Sequence, residues 1–402
     1  MIARSTSPGT LVDIFLVFLR LGLTSFGGPV AHLGYFRTEF VDRRRWFDER
    51  NYADLVALCQ FLPGPASSQV GIAIGLSRGG WVGSLAAWAG FTLPSAVLLV
   101  LFALGLSHWP AASDSGWLQG LKVAAVAVVA QAVWAMARNL CPDRPRAGIA
   151  IVAAVLMWLL PLPFMQLGVI ALGAVVGATL LRLPAQGALD MPTFGVSRRA
   201  GALALAAFVA GLALLPVLAT GLDSPVLGTI DAFYRAGSLV FGGGHVVLPL
   251  LQAEVVPGGA VDQATFLAGY GAAQAVPGPL FTFAAFLGAA LDPAVAGVTG
   301  WLGAVVCLLA IFLPAWLLVV GALPFWDALR QRPGVQSTLA GINAAVVGIL
   351  LAALYDPVWT SAIEGPRDVA LGLACFGLLV VARVSPLWVV VFAAAGGAAL
   401  AV

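Results

Sequence analysis

Two apolar segments of this 402-residue chain are interrupted by the same tripeptide, Pro63-Gly64-Pro65 and Pro277-Gly278-Pro279, at an offset of 214 residues. Proline lacks a backbone N–H and clashes with the preceding helical turn, so each tripeptide must break or begin a helix. Two other apolar segments carry a second kind of break, Phe26-Gly27-Gly28 and Phe241-Gly242-Gly243. The chain therefore has to fold around four helix breaks that occur in two matched pairs.

The solvent around these breaks is a lipid bilayer. Hydrophobic residues make up 61% of the chain and charged residues only 9%, with a mean hydropathy of +0.99. Soluble domains carry about 25% charged residues, so this composition predicts an all-α integral membrane protein. The net charge of +2 offers no basic field for nucleic acid. The four cysteines are scattered without a CxxC pair, which indicates neither disulfides nor a zinc site.

The two kinds of break recur in the same order, which divides the chain into two homologous halves. Arg20 aligns with Arg235 and Glu39 with Glu254 at an offset of 215, and further matches continue to an offset of 221. An extra span between two copies that each cross the membrane an even number of times inverts the second copy, as in secondary transporters. We therefore predict an inverted repeat, with a first repeat over 1-185, a linker with a connecting transmembrane helix over 186-225, and a second repeat over 226-402.

The arginines indicate how the broken segments run. If the segments 11-34, 55-77, 226-249 and 263-291 are re-entrant, entering and leaving on one side, nearly all loop arginines face the cytoplasm. This agrees with the positive-inside rule, with Arg367 as the exception. If the segments crossed completely, the five arginines of the loop 37-50 would lie outside. The re-entrant course is therefore preferred.

Broken helices at membrane depth mark a site, because non-helical backbone is tolerated there only where it lines a cavity or is buried in protein. A half-helix that starts after the Pro-Gly-Pro break would aim its free N–H groups at mid-membrane, where they favour an anion. The glycines of the other break allow close backbone approach. The predicted anion-binding positions at the breaks are Gly27, Gly28, Pro63, Gly64, Ser68, Gly242, Gly243, Gly278 and Thr282. The alternative is that these residues only kink packed helices.

Basic residues within apolar segments sharpen the expected charge of the ligand. Arg20 and Arg235 each precede a glycine break, in a setting where an unpaired arginine is costly. Each could present its planar guanidinium to an oxyanion. The alternative is that Arg20 pairs with Asp13 and Arg235 with Asp231, or that they snorkel. Lys122, the only lysine, is a further candidate anion contact, with snorkelling to the outer interface as the alternative.

Four other polar residues lie next to the breaks. Gln60 and Gln274 precede the two Pro-Gly-Pro tripeptides and could donate amide hydrogens to a substrate, or satisfy carbonyls that the break leaves free. His32 and His245 follow the two glycine breaks at positions that do not align. Each is a candidate for proton coupling near neutral pH, with a neutral histidine bonded to backbone as the alternative.

At these residues the chain resembles the chromate ion transporter family. The similarity lies in FGGPVAHLG (26-34) with LPGPASSQ (62-69), and in FGGGHVVLPLL (241-251) with QAVPGPLF (274-281), and it extends over nearly the whole chain in the long two-domain form. It implies a multi-pass inner-membrane protein that exports chromate and confers chromate resistance, without a cofactor. Its partners would be a small oxyanion, chromate or also sulfate, and the lipid bilayer, and a homodimer is left open.

The sequence lacks the motifs of two other classes of membrane protein, ATP-driven pumps and intramembrane enzymes. With its single lysine inside an apolar segment, the chain cannot form a GxxxxGK[ST] loop for ATP. An intramembrane enzyme would need a nucleophile with its base or a metal-ligand cluster, and three isolated histidines supply neither, so neither an enzyme nor a metal site is expected. A sulfate or other oxyanion carrier, or an anion channel of the same architecture, stays as the alternative to a secondary active chromate exporter.

Overall fold

A computed structural model describes residues 10–26, 28–108, 116–160, 165–182, 194–241, 244–326, 328 and 332–400. All regular secondary structure in these ranges is helical, as predicted. The helices are α1 Leu11–Thr24, α2 Gly28–Arg37, α3 Glu49–Phe61, α4 Ala66–His108, α5 Gly116–Leu140, α6 Arg144–Leu159, α7 Met165–Leu180, α8 Arg198–Gly221, α9 Pro225–Ser238, α10 Val247–Val255, α11 Gln263–Ala275, α12 Phe283–Ala290, α13 Pro293–Ala296, α14 Gly300–Ala322, α15 Pro333–Ala353, α16 Pro366–Val380 and α17 Pro386–Leu400.

Helices α1, α3, α9 and α11 end at the four breaks that the sequence predicts. They have 13 or 14 residues each. At 1.5 Å per residue such a helix is about 20 Å long, which is short of the roughly 30 Å of a hydrocarbon core. Asp48 and Asp262 cap the equivalent helices α3 and α11 by accepting from backbone N–H groups. Each of the four segments therefore enters as a half-span.

The segments with a glycine break turn back toward their own start. In the first half, Arg44 forms an ion pair of 3.0 Å with Asp13 in the first turn of α1. The rings of Phe18 and Phe40, which lie nearer to the break, have centroids 5.1 Å apart. In the second half, Arg235 of α9 meets Glu254 of α10 at 2.8 Å. The two arms of the first-half segment thus run antiparallel, which a re-entrant course requires, and in the second half the two arms are in contact.

The segments with a Pro-Gly-Pro break close in the same way. The guanidinium carbon of Arg78 lies 5.0 Å from the ring centroid of Trp46, so residues before α3 and after the first turns of α4 are neighbours. The N–H of Asp292 donates to the carbonyl oxygen of Ala260 at 2.8 Å, which joins the two ends of the corresponding second-half segment. Both segments with a Pro-Gly-Pro break therefore start and finish at the same end.

Five helical stretches among the described residues are long and apolar enough to cross a membrane: Ala66–Leu106, Gly116–Leu140, Arg198–Gly221, Gly300–Phe325 and Gly334–Ala362. The first of these is two helices joined across Gly79 and Gly80, whose backbone is not helical. Gly80 and its repeat equivalent Gly300 both adopt positive φ, 60° and 59°. The protein is thus a multi-pass membrane protein in which the broken segments of each half precede its long spans.

Equivalent helices of the two halves cross in opposite directions. The indole N–H of Trp316, late in α14, donates to the hydroxyl of Ser84, near the start of the second part of α4, at 3.0 Å. Further along, the rings of Trp88 and Phe312 have centroids 5.7 Å apart. Because the start of one helix meets the end of its equivalent, the halves are related as an inverted repeat.

The short helices at the end of each repeat pack on the other repeat. Helices α6 and α7 lie against α15, whereas α16 and α17 lie against α5. Gly173 and Gly177 of α7 approach the backbone of Gly341 so closely that a Cβ would not fit, and Gly397 of α17 approaches Gly120 in the same way. Small residues at this spacing let transmembrane helices pack at short distance. We call this arrangement the hairpin exchange.

Helix α8 follows the first repeat in the chain, and most of its surface is exposed. It packs against α9 and α14. Its carbonyl at Phe208 accepts from the hydroxyl of Tyr234 at 3.0 Å. Helix α8 lies in the segment 186-225, for which the sequence predicts a connecting transmembrane helix.

Candidate functional site

Two main-chain hydrogen bonds join the breaks of opposite halves. The N–H of Gly64 donates to the carbonyl oxygen of Val240 at 2.7 Å, and the N–H of Gly278 donates to that of Ser25 at 2.9 Å. Gly64 and Gly278 are repeat equivalents, and so are Ser25 and Val240. Each Pro-Gly-Pro turn is therefore bound to the glycine break of the other half. The four breaks meet at one place, which we call the break junction.

Glycine is required at both Pro-Gly-Pro turns. Gly64 and Gly278 have φ values of +120° and +103°, a region that side chains disfavour. A Cβ on Gly64 would lie 2.9 Å from the amide nitrogen of Gln69. A Cβ on Gly278 would lie 2.8 Å from the hydroxyl oxygen of Ser95. The tight approach of α4 and of the opposite half thus depends on the missing side chain.

Four helical elements begin at the break junction. These are α2 at Gly28, α4 at Ala66, the turn Gly244–Val246 that leads into α10, and the turn Leu280–Thr282 that leads into α12. The first N–H groups of a helix lack intrahelical acceptors and carry positive partial charge. The junction therefore concentrates donors that suit an anion. The predicted positions Gly27, Gly242 and Gly243 lie outside the described residues.

His32 fixes the first glycine break against α4. Its ring is fully buried, with Nε2 3.1 Å from the carbonyl oxygen of Ser25 and Nδ1 3.3 Å from the hydroxyl of Ser67. A carbonyl oxygen can only accept, so Nε2 carries the proton and Nδ1 accepts from Ser67 in the neutral ring. This is the backbone-bonded histidine that the sequence leaves as an alternative. His245 instead has Nδ1 2.8 Å from the hydroxyl of Tyr270, so the two histidines have different hydrogen-bond partners.

The aligned hydroxyls of Ser68 and Thr282 differ in their contacts. Thr282 is fully buried and donates to the carbonyl of Pro279 at 2.8 Å. Ser68 is 3% exposed, and its hydroxyl has no hydrogen-bond partner among the described residues. The first-half hydroxyl is therefore free to bind a ligand, whereas the second-half hydroxyl is occupied by its own turn.

The glutamines before the two turns also differ. Gln60 is exposed, whereas Gln274 is half-buried with its Nε2 buried and unpartnered within the described part of the chain. The freed carbonyl of Pro63 accepts from Nε2 of Gln69 at 2.7 Å. Gln69 thus performs the role that the sequence offered for Gln60. Gln69, Ser67 and Ser68 all belong to the polar ASSQ sequence (66-69) that directly follows the first turn, and this polar run was the signal in the sequence for their place at the break.

The two equivalent arginines stand in different surroundings. Arg235 is 21% exposed and forms ion pairs with Asp231 at 3.1 Å and Glu254 at 2.8 Å. Arg20 is exposed and forms no ion pair within the described ranges, because Asp13 pairs with Arg44. The structure thus places Arg235 with the acidic partner that the sequence allowed, and leaves Arg20 available.

The remaining candidate does not reach a partner. Lys122 is half-buried on α5 and makes no hydrogen bond or ion pair with the residues that the structure describes. No group of three His, Cys, Asp or Glu side chains that could hold a metal ion occurs among the described residues. The polar side chains described above at the break junction are hydroxyls, amides and an imidazole.

Comparison with known proteins covers both halves. The chromate transporter family model matches residues 12–178 and again 227–398. The chromate transport protein of Pseudomonas aeruginosa is 31% identical over 389 residues, which is 92% of this chain and 86% of that protein. The chromate transport protein of Cupriavidus metallidurans is 27% identical over 386 residues, 92% of this chain and 88% of that protein.

A probable chromate transport protein of Synechococcus elongatus is 27% identical over 361 residues, covering 86% of this chain and 84% of that protein. No solved structure matches the chain. Transporter families are not an enzyme class, and in bacteria a multi-pass protein of this kind lies in the plasma membrane. With the same family model matching each repeat, the chain belongs to the chromate transporter family.

Proposed function

We propose that the chain is a secondary active transporter that exports chromate across the plasma membrane and so confers chromate resistance. One observation carries the proposal: four helical elements begin at the break junction, which is held by the paired bonds from Gly64 to Val240 and from Gly278 to Ser25. Such a junction supplies N–H donors without fixed acceptors, which suits the oxygens of a tetrahedral oxyanion. The chromate transport proteins similar to this chain support chromate as that oxyanion.

In this proposal the substrate contacts the backbone and side chains at the breaks. These are Gly27, Gly28, Gln60, Pro63, Gly64, Ser68, Gly242, Gly243, Gln274 and Gly278, whereas Thr282 would act only if its hydroxyl left the carbonyl of Pro279. Arg20 and Lys122 would attract the anion toward the junction, since neither is engaged by an acidic side chain of the described residues. Arg235 would act only if the substrate displaced Asp231 or Glu254 from its guanidinium.

The inverted relationship between the halves supports alternating access. Because α4 and α14 cross in opposite directions, a rocking movement that opens the junction to one side has an equivalent that opens it to the other side. The two cross-half hydrogen bonds lie at the centre of such a movement. The substrate site would then stay between the halves while its access changes.

Everted membrane vesicles give the decisive test, because export from the cell becomes uptake into the vesicle. We expect saturable uptake of chromate that depends on the protein and needs no ATP. Competition with sulfate measures selectivity, and a protonophore measures dependence on proton coupling. Saturation and exchange with anion inside the vesicle distinguish a carrier from a channel. Uptake of sulfate without chromate would replace the proposed substrate, and a nonsaturable flux would replace the proposed carrier.

A further inference from the structure

The symmetric backbone of the break junction carries an asymmetric set of side chains. In the first half Ser25, Gln69 and Thr92 are fully buried and polar. Their repeat equivalents in the second half are apolar. Six buried polar residues of the first half that have apolar equivalents are Ser25 with Val240, His32 with Val247, Ser67 with Phe281, Gln69 with Phe283, Thr92 with Phe312 and Ser95 with Ala315.

Ser25, Phe91 and Ser95 of the first half lie around the second Pro-Gly-Pro turn. The carbonyl of Ser25 accepts from Gly278, and the Cβ position of Gly278 is 2.8 Å from the hydroxyl oxygen of Ser95 and 3.2 Å from the carbonyl oxygen of Phe91. His32 links Ser25 to the start of α4, and its ring centroid is 5.3 Å from that of Phe91. The end of α1, the helix α2 and both parts of α4 therefore face one point.

Three buried hydroxyls of the first half, two of them in this set, have no partner among the residues that the structure describes. The hydroxyl oxygens of Ser25, Ser68 and Thr92 are buried and make no hydrogen bond with the described residues. A buried polar group without a partner destabilises the protein, so its retention favours a ligand that completes it. In the second half, by contrast, Ser238 donates to the carbonyl of Tyr234 and Thr282 to that of Pro279.

We infer that the hydroxyl donors that bind the transported oxyanion come from the first half alone, through Ser25, Ser68 and Thr92. This inference rests on the proposed function of the break junction. These three O–H groups are free to donate to the oxygens of a tetrahedral dianion, and a hydrogen bond to a charged acceptor is stronger than one between neutral groups. The second half contributes backbone N–H groups and the unpartnered amide of Gln274.

The asymmetry also assigns a role to the second half. Phe281, Phe283 and Phe312 stand where the first half has Ser67, Gln69 and Thr92. An aromatic surface offers no strong hydrogen bond to an oxyanion, so the anion stays with the first half while the second half moves past it. Access would then be controlled by an apolar wall on one side of the bound anion.

The test compares hydroxyl removals in the two halves of the purified full-length protein. Ser25→Ala, Ser68→Ala and Thr92→Val remove the unpartnered hydroxyls with little change in volume. The matched controls are Ser238→Ala and Thr229→Val, which remove second-half hydroxyls that donate to backbone carbonyls. Equilibrium binding of radiolabelled chromate and of sulfate is measured for each, with thermal unfolding as the check on folding.

We expect each first-half variant to weaken binding by roughly tenfold or more, as for loss of one hydrogen bond to a charged group, and the controls to stay within about twofold. Equal losses in both halves, or unchanged affinity in the well-folded first-half variants, would overturn the inference. Should the wild type bind sulfate but not chromate with the same pattern of variants, the proposed substrate fails and the inference stands. Binding of neither anion would defeat both.

Discussion

The N–H of Gly64 in the first half donates to the carbonyl oxygen of Val240 in the second half at 2.7 Å, and its repeat equivalent Gly278 donates to Ser25 at 2.9 Å. The acceptor residues differ in side chain, yet the bond is the same. The contact is therefore made by main-chain atoms in both halves, although the Ser25 carbonyl also lies against a histidine ring. It joins the helix breaks of the two halves through N–H and carbonyl groups of the main chain.

Replacing either turn glycine should disable this contact. In Gly64→Ala and Gly278→Ala, the positive φ costs about 1–3 kcal/mol, and the new methyl group meets Gln69 or Ser95. We expect chromate transport to be lost in both variants, with thermal unfolding at a lower temperature. Gly148→Ala is the control, because its Cβ would meet nothing within 4 Å in α6. Normal transport in either turn variant would contradict the assigned role of the contact.

The two equivalent arginines should respond differently to substitution. Arg235→Ala leaves the carboxylates of Asp231 and Glu254 without their counter-ion, which we expect to destabilise the protein by about 2 kcal/mol, less than for a fully buried pair. Arg20→Ala breaks no ion pair of the described residues, so its unfolding temperature should be close to that of the wild type while transport falls.

A variant that lacks all three charges of the Arg235 ion pairs is the control for the stability effect. Combining Arg235→Met with Asp231→Asn and Glu254→Gln removes both sides of the ion pairs and should recover much of the lost stability. Arg20→Lys should recover transport poorly, because an ammonium lacks the planar fork of a guanidinium. Full transport in Arg20→Ala would remove this residue from the proposed site.

Cysteine labelling can test the sidedness of the re-entrant segments. In a cysteine-free background, the substitutions are Arg50→Cys and Gly258→Cys. Arg50 lies in the first turn of α3 and Gly258 follows α10, and both positions are exposed. From the distribution of arginines, we expect an impermeant thiol reagent outside intact cells to label position 258 and not position 50. A Cβ at Gly258 meets nothing within 4 Å, so that substitution should be tolerated. Labelling of position 50 in unbroken cells would reverse the orientation.

The driving force can be tested with a defined membrane potential. Moving one charge through 100 mV is worth about 2.3 kcal/mol, so a dianion leaving a negative interior gains about 4.6 kcal/mol, over 10³ in concentration ratio. In oriented proteoliposomes, a potassium potential set by valinomycin should therefore speed chromate toward the positive side without nucleotide. A flux that ignores the potential but follows a pH gradient or trans sulfate would show electroneutral exchange instead.

The sequence predicted the breaks and their order because proline and glycine act locally on the backbone. Pro63 and Gly64 end α3 wherever the chain lies, and the matching Pro277 and Gly278 identify the second half. The re-entrant course followed from arginine positions, and the contacts of Asp13 with Arg44 and of Ala260 with Asp292 agree with it.

Which residues meet across the halves could not be read from the repeat alignment, since equivalence is not contact. The alignment paired Arg20 with Arg235, but it did not indicate that Asp13 would form its ion pair with Arg44. It also gave equal weight to Ser68 and Thr282, although the local turn satisfies only the latter. Side-chain hydrogen bonds depend on rotamers and neighbours that a one-dimensional pattern does not contain.

The hairpin exchange means that the sequence boundary between the repeats does not separate two independent bodies. Helix α5 is covered by α16 and α17, and α15 by α6 and α7, so each repeat, if isolated, would leave its own long helix bare. A protein severed in the linker should recover its shape only when both fragments insert in opposite orientations and intertwine. Because the chain is one polypeptide with α8 between the repeats, both orientations are set in a single molecule. The two halves then do not have to associate as separate, oppositely oriented fragments.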